Sequence, residues 1–261
     1  MNTANPLPDA GKVAMITGST AGIGCEIGRQ LAARGATVCF NGRSPGAIEG
    51  LLDEIRAMGA RAFFYPADVW DYEAVAAMAE QVRTEAGPVD YLVVSGGSLE
   101  KVPGQYFMEI DPKKYVEYAN GQWLSRMYVF RAFAPQLMEK EQGRVVFLGT
   151  DAGRIPTPGV SLPGGAGAAL VMCTKVLAQE FARHGTRINT VSTTVTQGTP
   201  GLEKVLAKRA AARVFEKAVR KQPFPVMADD VARTVLHLLS PAADGITGQT
   251  ISINGGLSYP G

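Results

Sequence analysis

Three glycines near the amino terminus, Gly18, Gly22 and Gly24, stand in the run VAMITGSTAGIG between an apolar, β-branched stretch and a helical pattern. Glycine there permits a tight turn and lets backbone N–H groups approach a phosphate, while a helix starting at the loop adds unpaired N–H groups and a favourable dipole. With Thr17 and Ile23 they form a candidate pyrophosphate loop, because such a loop directly after a first strand carries more weight than the same glycines elsewhere. Other residues suited to chemistry are sparse. His184 beside Gly185 fits a helix C-terminus and His237 fits the apolar face of residues 231–239, so both read as structural. No spacing of His, Cys, Asp and Glu suits a metal ion. Cys25 follows the glycines at a helix N-terminus, where a thiol is either activated or, on the simpler reading, packed and inert.

The elements that must position this loop follow from periodicity. Short β-branched runs alternate with longer helical patterns from Val13 to Ile253, which predicts an α/β fold: one doubly wound, Rossmann-type domain with a parallel seven-stranded sheet. The expected strands are Val13–Thr17, Thr37–Asn41, Arg61–Tyr65, Tyr91–Ser95, Arg144–Gly149, Arg187–Ser192 and Thr250–Ile253. Ser44 before Pro45 and Asp71 read as N-caps, and Gly35, Gly59 and Gly87 as helix stops. Residues 1–11 read as a short ragged tail and 12–261 as the domain, with a lid segment at about 194–225. Within that lid, Leu202–Lys221 reads as one basic amphipathic helix carrying seven basic and two acidic side chains.

Whole-chain properties exclude several classes. A formal net charge of +2 favours neither nucleic acid nor membrane as a partner. Cys25, Cys39 and Cys173 are odd in number and fall inside expected helices or strands, which argues for free thiols. The start lacks the basic and apolar regions of a secretory signal, and no apolar run is read as long enough to span a membrane, so a cytoplasmic location is expected.

The run from Thr17 to Gly24 matches, residue for residue, the TGxxxGxG motif of the short-chain dehydrogenase/reductase family, which the sequence resembles over nearly its whole length. Ala67–Val69 resembles the family segment whose aspartate, here Asp68, contacts adenine, with Val69 beside it, and Ile246–Gly256 resembles its C-terminal strand and turn. The resemblance implies NAD(P) as cofactor. After the second strand stand Asn41, Gly42 and Arg43, so the acidic residue that would hold a ribose hydroxyl is absent and Arg43 leans towards NADP; an ordinary surface arginine is the equal alternative.

The family's carbonyl chemistry uses a tyrosine as general acid/base, a lysine four residues later, a serine and an asparagine. Counted without gaps, the serine position falls on Thr150, the tyrosine on Pro163, the lysine on Gly167 and the asparagine on Gln122; Asn120 can rescue only one role, and Lys175 takes a structural one. The family's Asn-Asn-Ala-Gly appears as Val94, Ser95, Gly96 and Gly97, and its Pro-Gly as Thr193 and Thr194. The resemblance therefore implies an intact adenosine half, a dismantled half for chemistry, and no catalytic residue of the family's kind. It is similar to the incomplete chain of hetero-oligomeric enzymes such as the hydroxyacyl-CoA dehydrogenase of the benzylsuccinate route. The implied partner is a complete paralogue in a hetero-oligomer, a tetramer, paired through Gly121–Lys140 and Gly164–His184; on the second of these Leu170, Val171, Val176, Leu177 and Phe181 are expected to share one face, buried against core or partner. An anionic acyl or CoA substrate would meet the lid, whose basic residues are otherwise a solvated face. A nucleotide-sensing scaffold, or an enzyme using the pocket for different chemistry, are the alternatives.

Overall fold

The computed structural model describes residues 7–96, 104–207 and 209–261. Among these, seven parallel strands form one sheet in the order β3-β2-β1-β4-β5-β6-β7. The strands are β1 (Val13–Thr17), β2 (Thr37–Gly42), β3 (Ala62–Pro66), β4 (Tyr91–Val94), β5 (Arg144–Thr150), β6 (Arg187–Thr193) and β7 (Thr250–Ile253). Each expected strand is present, within a residue at either end. The β-branched runs are explained by burial on both faces: along β1, Ala14 and Ile16 enter one core layer while Val13 and Met15 enter the other. Ile16 lies opposite Phe40 of β2 on one side and Val93 of β4 on the other.

Helices α1 (Gly22–Ala33), α2 (Glu49–Ala57) and α3 (Tyr72–Glu85) connect the first four strands. Asp71 caps α3, accepting from Glu73 N at 3.0 Å and Ala74 N at 3.2 Å. Ser44 caps only a three-residue 3-10 turn and uses no side-chain hydrogen bond; α2 starts later, at Glu49. After β4 come α4 (Tyr115–Ala119), a π-helical turn at Asn120–Leu124 and α5 (Ser125–Glu139); α6 (Ser161–Phe181) follows β5. The expected lid helix is divided into α7 (Pro200–Leu206), capped by Thr199 with proline in its first turn, and α8 (Arg209–Lys221); α9 (Ala228–Leu239) precedes β7. Residues 1–6, Gly97 and Lys208, and the side chains of Arg209, Arg213 and Val214, lie outside the described residues.

Three expectations are corrected here. The described part of the tail is packed: Asp9 is buried, ion-paired with Arg34, and accepts a hydrogen bond from the Tyr91 hydroxyl at 3.1 Å. The long-helix residues do not share one face: Leu170 is buried in the core, whereas Val176 lies on another side of the helix with Met172, exposed and open to a partner chain. Finally, the helix Ser161–His184 is long and apolar enough to cross a membrane by length and composition alone. In the fold it lies on the sheet, where Leu170, Thr174 and Ala178 are buried and Thr174 Oγ1 meets Thr190 Oγ1 of β6 at 2.7 Å.

Candidate functional site

Because β1 pairs with β2 on one side and β4 on the other, the connections diverge above its carboxyl end and leave a crevice there. Its floor is tightly built. Thr17 Oγ1 donates to Ser95 O at 2.9 Å. Gly18, at φ +57°, passes so close to the chain after β4 that a Cβ on it would lie 2.6 Å from Gly96 Cα. Gly18 N donates to Asn41 Oδ1 at 3.3 Å, and Asn41 Nδ2 donates to Tyr65 O at 3.0 Å and Ala67 O at 3.2 Å, so Asn41 braces the loop rather than reading a ribose. Ala21 provides no side-chain cap to α1, and Gly22, Ile23 and Gly24 line the cleft, where the open N–H groups of the first turn suit phosphate oxygens. This end fits a dinucleotide.

The cleft, about 320 Å³, also brings together Gln122 of the π-helical turn, Arg126 of α5, Thr150 at the end of β5, Thr193–Thr196 and, from α7 and α8, Leu202, Val205 and Phe215. Gln122 makes no hydrogen bond among the described residues, and Thr150 Oγ1 accepts from Ala152 N at 3.3 Å. Arg43, Asp68 and Val69 do not line this cleft. Arg43 is exposed and has no ion-pair partner among the described residues, Asp68 Oδ1 accepts from Trp70 N at 3.1 Å, and Val69 packs against the core.

Pro163 and Gly167 are buried in α6 and form no part of the cleft wall. The reason is backbone contact between α6 and the turn after β5. A Cβ on Gly167 would lie 2.9 Å from Thr150 Cγ2 and 3.2 Å from Gly153 Cα; one on Gly153 would lie 2.5 Å from the Gly167 carbonyl carbon; one on Gly164 would lie 2.8 Å from Ala152 O. Gly167 is thus pressed between the Thr150 methyl and the Gly153 main chain, while Pro163 is buried in the same helix.

Two buried charges escaped the sequence reading. Asp151, directly after β5, accepts from Ser252 Oγ, from Asn254 Nδ2 at 2.9 Å and from Thr194 Oγ1 at 3.2 Å, tying together the ends of β5, β6 and β7. Arg126 is buried, and burial pushes its guanidinium down to about 10. The signal was a charged residue in register with a core stripe, since Arg126 is followed at helical spacing by the buried Phe130, Phe133 and Leu137. By contrast, Lys204, Lys217, Arg220 and Lys221 of the expected basic lid are exposed and do not line the cleft. Burial pushes the Cys25 thiol up, partly offset by Arg29, which favours the packed over the activated reading.

A family model described as enoyl-(acyl carrier protein) reductase matches residues 18–258. The chain is 29% identical to the 2,3-dihydro-2,3-dihydroxybenzoate dehydrogenase of Bacillus subtilis, over 94% of this chain and 95% of that protein. It is 28% identical to the 3-oxoacyl-[acyl-carrier-protein] reductase FabG of Staphylococcus aureus, over 94% and 98%. A solved structure described as a short chain dehydrogenase/reductase family protein superposes with a TM-score of 0.82 at 31% identity, covering 95% of this chain and 98% of that one.

Proposed function

Since the chain belongs to the short-chain dehydrogenase/reductase family, we propose that it is the non-catalytic chain of an NAD(P)-dependent oxidoreductase assembly, working beside a complete paralogue on a hydroxyacyl or oxoacyl substrate. The observation that carries this reading is the relay itself: proline and glycine stand at 163 and 167, both are buried in α6 without lining the cleft, and neither has a side chain that can pass a proton. Nicotinamide supplies a hydride in such reactions, but a carbonyl also needs a proton donor. Gln122, Thr150 and Arg126, the nearest polar groups of the cleft, include no carboxylate, imidazole or phenol.

The substrate class is taken from the FabG relative, whose name specifies a 3-oxoacyl group. On this reading a dinucleotide is held weakly and by its adenosine half, because the glycine loop is open at α1 while the nicotinamide end offers no lysine. Mixed assembly is supported by the outward stripe of α6, where Gly165, Ala168, Met172 and Val176 are exposed. An apolar stripe of small and flexible side chains suits close helix packing against a partner chain. The assembly is proposed to be a cytoplasmic tetramer.

The test is purification from the native source, followed by assay of the parts. We expect the native complex to contain a second, complete chain, and the isolated chain to turn over no alcohol or ketone with NAD or NADP. Acid/base catalysis is worth about 10²–10⁴-fold, so its loss is readily measured. A native homo-oligomer that turns over at about one per second would overturn the proposal.

A further inference from the structure

We propose that the cleft carries an oxyanion subsite built on Arg126, which receives the carboxylate or phosphate of a ligand whose apolar body lies against the lid helices. This rests on the cleft being a ligand site, not on the chain being non-catalytic.

Arginine carries five N–H donors. Nε donates to Leu148 O at 3.0 Å and Nη1 to Gly121 O at 3.2 Å, while Nη2 has no partner among the described residues and is not sealed from the cleft that Arg126 lines. Both acceptors are neutral carbonyls. They fix the guanidinium plane without neutralising its charge, and none of the described ion pairs includes it. A cation out of water and unpaired is unfavourable, and its lowered pKa still leaves it protonated at neutral pH. A fixed guanidinium with a free edge is the geometry that recognises a planar carboxylate or a phosphate by paired hydrogen bonds.

The surroundings point the same way. Arg126 is the only charged residue among the described residues lining the cleft, so nothing there competes for it. Leu148, Val195, Leu202, Val205 and Phe215 supply apolar wall for the remainder of a ligand. A volume of about 320 Å³ suits a compact molecule rather than a long chain.

The experiment compares the full chain with Arg126→Met and Arg126→Lys by calorimetry, using benzoate, its neutral isostere benzamide, inorganic phosphate and ADP as probes. We expect benzoate or phosphate to bind the wild-type chain, to lose at least tenfold in affinity in R126M, and to recover partly in R126K. Whichever binds more tightly decides between a carboxylate and a phosphate source. Benzamide should bind wild type and R126M alike. ADP, held at the glycine loop, should also bind both alike, so a failure of the nucleotide reading is separable from a failure of this one. R126M loses the hydrogen bonds to Leu148 O and Gly121 O together with the buried charge, so circular dichroism should first show that it folds as the wild-type chain does. Equal binding of the anions by wild type and R126M, or binding by neither, would overturn the subsite.

Discussion

Two regions of the molecule use glycine to bring main chain against main chain, with opposite results. At the nucleotide end, Gly18 lies against Gly96 and Gly24 against Ser19, and the contact forms the floor of a crevice into which the first turn of α1 opens. At the relay end, Gly153, Gly164 and Gly167 let α6 and the turn after β5 close on each other until no crevice remains between them. A glycine is thus evidence of close approach, and only the placement of the neighbouring N–H groups tells whether that approach shapes a site or abolishes one.

The sharpest way to break the comparison is a methyl group at the relay end. Gly153→Ala puts a Cβ at 2.5 Å from the Gly167 carbonyl carbon and 2.6 Å from Ala168 N, both backbone atoms that cannot swing aside. We expect a loss of about 3 kcal/mol in urea unfolding, the upper range for overpacking. A loss below about 0.5 kcal/mol, within the range of a surface change, would mean that the two backbones are not in contact.

The nucleotide end sets the next expectation. Gly18→Ala places its methyl 2.6 Å from Gly96 Cα and at φ +57°, so the loop must shift away from the crevice. We expect ADP affinity to fall at least tenfold, about 1.4 kcal/mol, with a smaller loss of stability than at Gly153 because the crevice offers room to relax. Unchanged ADP affinity would remove the loop from the binding site, and with it the contrast between the two ends.

How much of this was legible in the sequence differs between the ends for a physical reason. The strands were legible because burial on both faces demands continuous apolar runs, as along β1. The glycine loop was legible because its spacing is set by local geometry. The division of the lid was not, since an amphipathic period continues across Ala207 without proline or glycine to mark the break. Nor was the packing of Asp9, whose partners Arg34 and Tyr91 are distant in sequence. At the relay end the residue types at 163 and 167 were plain, but the close contact of Gly167 with Gly153 across the turn was not. Arg126 was missed although it stands on an apolar stripe with Phe130, Phe133 and Leu137, and its lack of a counter-ion is a fact of three dimensions.

The two ends should also titrate in opposite senses, which gives the smallest and most discriminating effect. Cys39 of β2, on the nucleotide side, is buried, and burial pushes its thiol from 9.0 up to about 12. A group whose folded pKa is raised contributes stability that is fully present below the unfolded value and is lost as pH climbs from 9.0 towards 12. Arg126 behaves in the reverse way: burial holds its folded value at about 10, well below that of a free guanidinium, so a penalty present at neutral pH is relieved as pH climbs past about 10. Differences between variants cancel the exposed lysines and tyrosines that titrate alongside. Urea midpoints from about pH 8 to about pH 11 should therefore fall less steeply for Cys39→Ala than for wild type, and more steeply for Arg126→Met. Parallel curves for R126M and wild type would show that Arg126 is solvated or paired in solution, and would erase the electrostatic half of the comparison while leaving the steric half standing.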